Sequence, residues 1–526
     1  MATIFSCDWK SRLKSVGRCT EPMSEERERR SFILPILLLF LVYTFGVPFW
    51  IVVIIGFWYL GLLYCESEGI LDRMNATRAL GIILMIRTRR GMGVLEFISK
   101  PRKFWRLYGE FSIWLCFFVM IGVVLMLILG AISAALSPPE DPLPASDLLL
   151  IPGVTSFVPF WWPVLALIVA IVIHEYSHGI QARAHGMRLR SFGLLQFGPL
   201  PIGAFAEPEE IEMDRAPKRD RLRLFAAGPS INLISTYIVL ILLCSVSSGF
   251  VAENAGTHAR GIIKDQPAEK AGLLPYQTIT QVQGNQIESY ADFDEQMELL
   301  SSGDIVTLTV IENSDESSPI EKELLVTLGD QYQYYLDTCD GENEYEECIK
   351  EKERILDALE IEPGDAFLGV SGMVSSRAGV DGYAWIVEGE YEAEWAVVAT
   401  LIRPVLMLYT PIANDGQTMI LEEREMITAG GGAFATFLGT DGMLMLFDFL
   451  FWLVWINFLL GFANLIPMIP FDGGHLVRDG LHSVLKTISR KAHPMKIEVI
   501  SDRISSLSSI FILLILLIPV ILPRLV

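Results

Sequence analysis

Apolar positions in this chain gather in long blocks, with little of the strict alternation that marks a half-buried strand. The blocks cover residues 32–64, 113–136, 157–180, 222–246, 443–469 and 507–522. At roughly 1.5 Å per residue the first five exceed about 30 Å of hydrocarbon and the last, of 16 residues, reaches about 24 Å, and each predicts a membrane-spanning helix. Pro35, Gly46 and Pro48 break the first block, which predicts two short spans folded as a hairpin. That makes about seven crossings. A further apolar stretch at 396–409 would reverse the orientation of everything after it if it crossed, so it is expected to pack on the membrane or re-enter it without spanning. The expected fold class is a multi-pass α-helical membrane protein.

The polar segments orient it. Basic residues crowd 10–30, 73–106, 183–223 and 478–496, whereas 137–156 and the long insert after residue 249 are acidic or neutral. The positive-inside rule then puts the N-terminus in the cytoplasm and the insert outside, in a multi-pass protein of the cell membrane. Composition agrees, with 52% apolar and only 20% charged residues among 526. The net charge of −21 is local: residues 250–395 hold 32 acidic and 8 basic side chains, which leaves the rest at +3. No basic surface with interleaved aromatics accompanies that insert, which excludes nucleic acid as a partner. The first 30 residues lack a signal-peptide core. Seven cysteines without C-x-x-C spacing exclude a zinc knuckle or a redox motif; Cys339 and Cys348, both in the insert, could form a disulfide or remain two thiols.

Chemistry is written inside the apolar blocks. His174-Glu175-Tyr176-Ser177-His178 lies in the span 157–180. Positions i and i+4 share a helix face, so both imidazoles can point at one zinc ion, with Glu175 beside them to handle a water. Ionisable groups at membrane depth are costly enough to be read as functional. Counted from Trp161 and Trp162 at the outer interface, His174 lies about 18 Å and His178 about 24 Å deep, nearer the cytoplasmic face. A catalytic zinc takes three protein ligands and an open position. The third candidate is Asp472, 294 residues after His178, in Asn464-Leu465-Ile466-Pro467-Met468-Ile469-Pro470-Phe471-Asp472-Gly473-Gly474-His475. Its prolines and glycines let the backbone turn the carboxylate into the bundle.

The pair H-E-Y-S-H and N-L-I-P-M-I-P-F-D-G-G-H resembles the site-2 protease family of intramembrane zinc metalloproteases. The resemblance implies His174, His178 and Asp472 as ligands of one zinc ion and Glu175 as general base and acid. It also implies Asn464 as a polar group near the substrate or the developing oxyanion. Ala227-Gly228-Pro229-Ser230-Ile231-Asn232 looks like the family's G-P-x-x-N element; Asn232 could meet the substrate, or the small residues could serve helix packing alone. Residues 191–208, apolar and rich in Gly and Pro, are expected to form a membrane-embedded hairpin or loop. Around Gly198, Pro199 and Gly203 it would pair with an unwound substrate, or it would only dip into lipid.

In the insert, Gly261-Ile262-Ile263, Gln266 to Leu273, Ile279 to Ile287 and Gly303 to Val310 resemble a PDZ domain of the bacterial-protease type. That implies an extended peptide added beside Ile262 and Ile263, such as the trimmed C-terminus of a substrate ectodomain, or a steric plug that binds nothing.

The expected layout is a cytoplasmic segment (1–31), a transmembrane hairpin (32–65), a basic cytoplasmic loop (66–111) and a first catalytic-core part (112–248). The PDZ-like α/β domain (250–330), an acidic extension (331–395), a membrane-associated linker (396–442) and a second core part (443–526) follow. The implied activity is hydrolysis of peptide bonds in transmembrane or signal-anchor segments of membrane-protein substrates in the bilayer. The alternative is a catalytically silent adaptor that holds clients through the insert.

Overall fold

A computed structural model describes residues 40, 43, 49–79, 81–88, 91–138, 144, 147, 150–198, 200–312, 320–339, 345–389, 393–489 and 493–524. The first helix, α1 (Phe49–Ser67), is the second half of the first apolar block; most of residues 32–48, and with them the expected hairpin, lie outside the described residues, as does segment 1–31. Five described helices are long and apolar enough to cross a membrane: α2 (Arg102–Leu136), α3 (Trp161–Ala184), α4 (Lys218–Ser247), α6 (Ala433–Asn464) and α8 (Pro494–Ile521). Between them lie α5 (Ala393–Met407) and α7 (Asp472–Ile488).

Burial sorts these helices. More than half of the apolar window is buried in α3, α4 and α6, against 17% in α2 and α8, so the first three form the centre and the other two turn most of their surface outward. Small residues permit the close centre. Ala166 and Ala170 of α3 and the run Ala226-Ala227-Gly228 of α4 are buried, and a Cβ on Gly461 of α6 would stand 3.2 Å from the Pro229 carbonyl. Phe447, Phe451 and Trp452 of α6 fill one half of the core with Leu240 and Leu243 of α4. Leu224, Phe225, Ile180, Leu465 and Leu476 fill the other. Pro467 and Pro470 cannot continue α6, and the chain turns through 465–471 before α7 begins at Asp472.

Residues 191–208 do form a hairpin, β3 (Leu189–Phe197) with β4 (Leu200–Pro208), but it does not stand alone. Strands β1 (Ala76–Ala79) and β2 (Ile83–Thr88), from the segment expected to be only a loop, extend it to a sheet of order β1-β2-β3-β4. β2 pairs with β3 from Leu84↔Gln196 to Thr88↔Phe192 and so satisfies backbone groups that β3 would otherwise leave open. β4 remains an edge, with β1 at the other end.

The insert is built on a second sheet. After β5 (Phe250–Ala252) come β6 (Thr257–Ile262), β7 (Thr278–Val282), β8 (Asn285–Gln286), β9 (Ile305–Glu312), β10 (Ile320–Thr327), β11 (Gly329–Asp330), β12 (Ala366–Phe367) and β13 (Val370–Ser375). The sheet order is β10-β9-β7-β6-β13, with β8 on β7. This α/β unit therefore draws its outer strand from beyond residue 330, because β13 supplies the second partner that β6 needs. Cys339 and Cys348 form a disulfide next to the helix Tyr345–Ala358. β14 (Ile427–Ala429) pairs with β5 where the chain leaves and re-enters the helical core. Glu423, 1% exposed, adds a polar tie there: Arg260 Nε donates to its Oε1 at 2.6 Å, and His258 Nε2 stands 3.5 Å from the same oxygen. Burial pushes the Glu423 carboxyl up, but the hydrogen bonds and charges of His258 and Arg260 outweigh it and hold it below the usual glutamate range.

Candidate active site

α3 is continuous through the H-E-x-x-H segment, so His174 and His178 stack one turn apart on its buried face. Their Nε2 atoms are 3.1 Å apart. The turn before α7 brings Asp472 back to them across 294 residues of sequence, and its Oδ2 lies 3.3 Å from each Nε2. Tetrahedral zinc with bonds of about 2.0–2.1 Å spaces its ligand atoms by about 3.3 Å, so this donor set fits that ion. A second observation supports the fit. His178 Nδ1 donates to the Leu224 carbonyl at 2.8 Å, which leaves Nε2 with its lone pair toward the cluster. His174, Glu175 and His178 also offer ligand atoms that all lie within 4.8 Å of one another.

Gly228 closes the site from α4. A Cβ there would stand 2.3 Å from His178 Nε2 and 2.6 Å from His174 Nε2, so no larger residue fits while both rings keep their places. The sequence showed this glycine within its motif but not its contact with the histidines. Two other participants leave no mark in the sequence because they act through backbone: the Leu224 carbonyl, and the N–H of Ala206 on β4, which donates to Glu175 Oε2 at 2.8 Å. That bond ties the edge strand to the carboxylate beside the histidines. At the base of the hairpin Arg188 pairs with Glu212 at 2.6 Å and Arg190 with Glu209 at 2.9 Å. Hydrogen bonds from these arginines lower both carboxyls, and because both arginines are exposed the pairs' weight in stability is small.

The remaining expected residues fall into three groups. Asn464 ends α6 and spends its amide on the Leu460 carbonyl at 3.0 Å, and no hydrogen bond joins it to the histidines among the described residues. Asn232 is fully buried one turn beyond Gly228, with neither side-chain polar atom partnered among the described residues. Gly198 turns the hairpin at φ +59° and Gly203 packs against Leu195, while Pro199 lies outside the described residues. Ile262 and Ile263 are placed differently from the expectation. Ile262 pairs with Val370 and the Ile263 N–H donates to the Gly369 carbonyl, so β13 of the same chain occupies the position where a peptide strand was expected. β13 is one of the two edge strands of that sheet, with β10 at the other end.

Sequence comparisons add an independent line. Residues 162–513 match the profile of peptidase family M50. The chain is 31% identical over 238 residues to the uncharacterized protein MJ0971 of Methanocaldococcus jannaschii, a match over 44% of this chain and 61% of that protein, under two thirds of its length. It is 23% identical over 365 residues to zinc metalloprotease Rip1 of Mycolicibacterium smegmatis, covering 59% of this chain and 82% of that one. Over a shorter stretch of 84 residues, 16% of this chain and 22% of the relative, it is 34% identical to zinc metalloprotease MJ0392 of M. jannaschii.

Proposed function

The chain belongs to peptidase family M50, the site-2 protease family, and from that premise we propose an intramembrane endopeptidase that cuts transmembrane or signal-anchor segments of membrane proteins. It is a zinc metalloprotease. The observation that carries the finer reading is the convergence of His174, His178 and Asp472 within 3.3 Å of one another among helices long and apolar enough to lie in a bilayer.

These three side chains hold the zinc. When bound, the ion supplies Lewis-acid chemistry, polarising the scissile carbonyl and making a water nucleophilic near neutral pH. The chain's own groups do the rest. Glu175 takes the proton of the attacking water and returns it to the leaving amine. Its Oε2 is fixed by the Ala206 N–H, and Oε1, without a hydrogen bond among the described residues, carries the proton. A substrate helix has to unwind before its carbonyl is open to attack, and the edge of β4 offers the backbone bonds that the unwound segment loses. The Ala206 N–H, aimed at Glu175 and away from β3, lays that edge along the reacting groups. Gly198 turns the hairpin and Gly203 keeps β4 tight on β3. The insert lies on the extracytoplasmic side with a PDZ-like sheet, and β13 receives a trimmed ectodomain end.

Reconstituted chain with a model transmembrane substrate tests this. Wild type cleaves; Glu175→Gln loses about 10²- to 10⁴-fold, the usual share of a general acid–base group, and a chelator abolishes the wild-type rate. Cleavage that survives both treatments refutes the proposal.

A further inference from the structure

The two halves of the metal site reach it from opposite sides of the insert, so the aim of Asp472 depends on how α7 lies against α4. The contact between these helices has three rungs. Asp472 meets the histidines beside Gly228. One turn along α7, His475 stacks on Phe225 of α4, with ring centroids 4.5 Å apart and planes 9° from parallel. A further turn on, Asp479 and Arg221 form an ion pair, Nε to Oδ2 at 2.8 Å, in which the acid is fully buried and the arginine 6% exposed.

We propose that Arg221 and Asp479 are positioning residues for the metal: their buried pair sets the register of α7 on α4 and so aims the Asp472 carboxylate at His174 and His178. This rests on the reading of those three residues as zinc ligands. Asp479 follows Asp472 by seven residues, two helical turns and about 10 Å, on the same face. Arg221 precedes Leu224, whose carbonyl holds His178, by three residues, and Gly228 by seven. Both ends of the pair are therefore carried on the segments that carry the ligands. A slip of α7 by one turn would move Asp479 about 5.4 Å from Arg221 and strand two buried charges. Beyond Lys218, 3.3 Å from Asp479 Oδ1, and Asp214, 3.9 Å from Arg221 Nη1, no ion-pair partner stands near among the described residues. Buried pairs of this kind do little for net stability, and their best attested use is to select one register.

The test uses the purified full-length chain loaded with zinc, or with cobalt(II) as a spectroscopic substitute. Wild type, Arg221→Met, Asp479→Leu, the double variant and Arg221→Lys are compared for metal release to a chelator, for the cobalt visible spectrum and for thermal unfolding. Register control predicts at least ten-fold faster release and an altered cobalt spectrum in both single variants. The double variant, with an apolar pair of similar volume, regains the unfolding temperature but not the slow release, and Arg221→Lys recovers part of it. A double variant that folds and matches wild type in release and spectrum overturns the inference, as does release that tracks unfolding temperature across the series. His174→Ala separates the underlying reading: if it retains metal as wild type does, the ligand assignment itself fails, whatever the pair does.

Discussion

Two sheets in this molecule end on an open strand, and the two edges are wired to different things. β4 closes the four-stranded sheet beside α3, and one of its backbone N–H groups holds the Glu175 carboxylate. β13 closes the insert sheet, and its inward bonds go to β6 while the described residues show no tie from it to the histidines. Both are edge strands, but on β4 the Ala206 N–H is already taken by Glu175. The difference teaches where each would register in kinetics. A strand laid on β4 is aligned with the reacting atoms, so damage there lowers the chemical rate; a strand laid on β13 gains only residence.

The sharpest way to break the contrast is to dislodge β4. Gly193 of β3 faces Phe205 of β4, and a Cβ on Gly193 would fall 1.9 Å from the Phe205 ring. Gly193→Val therefore pushes β4 off its neighbour. Turnover of a minimal transmembrane substrate should drop by about 10²-fold or more, the scale of a 1 Å misplacement, with metal content unchanged. Wild-type turnover would show that β4 does not align the substrate.

A finer cut removes one hydrogen. Ala206→Pro deletes the donor to Glu175 but no bond to β3, and an edge strand tolerates proline in that orientation. A hydrogen bond to a charged group is worth about 1.5–3 kcal/mol, so kcat should fall roughly 10- to 100-fold, with KM moved less. Equal changes in both would place Ala206 in binding alone. At the other edge Ser371→Lys puts a charge on an exposed position of β13. It should raise KM several-fold for a substrate that keeps a trimmed ectodomain and leave a minimal substrate untouched, which steady-state kinetics on the two substrates would read.

The two edges were also unequally legible. Side-chain chemistry announced itself: His174, Glu175 and His178 by helical spacing, and Asp472 by an acid set among prolines and glycines inside an apolar context. Backbone chemistry did not, since Ala206 and Leu224 act through groups every residue has. Strand partners were the hardest. β1 and β2 lie in a basic segment whose charge pointed to topology and hid the short apolar run Ile83 to Ile86. β13 is separated from β6 by more than 100 residues, so the local pattern at Ile262 and Ile263 looked like an open edge when a distant strand already filled it.

The smallest expected effect concerns how the insert is fastened to the helical core. Glu423 ties the helix Leu421–Glu425 to β6 through Arg260 and His258, and its carboxyl is held below the ordinary glutamate value. A group whose folded value is lowered contributes stability above the unfolded value, about 4.3, and loses it as pH falls through the folded value. Wild-type unfolding temperature should therefore decline below about pH 4.3 more steeply than that of Glu423→Gln, whose amide cannot titrate. At pH 7 the variant should melt about 1 °C lower for each kcal/mol of tie removed from the full-length chain. Its turnover of a minimal transmembrane substrate should match wild type, because Glu423 touches β6 and not β4. Identical pH profiles in the two proteins would mean that the tie is not what fastens the insert, and a fall in minimal-substrate turnover would mean that the insert reaches the chemistry after all.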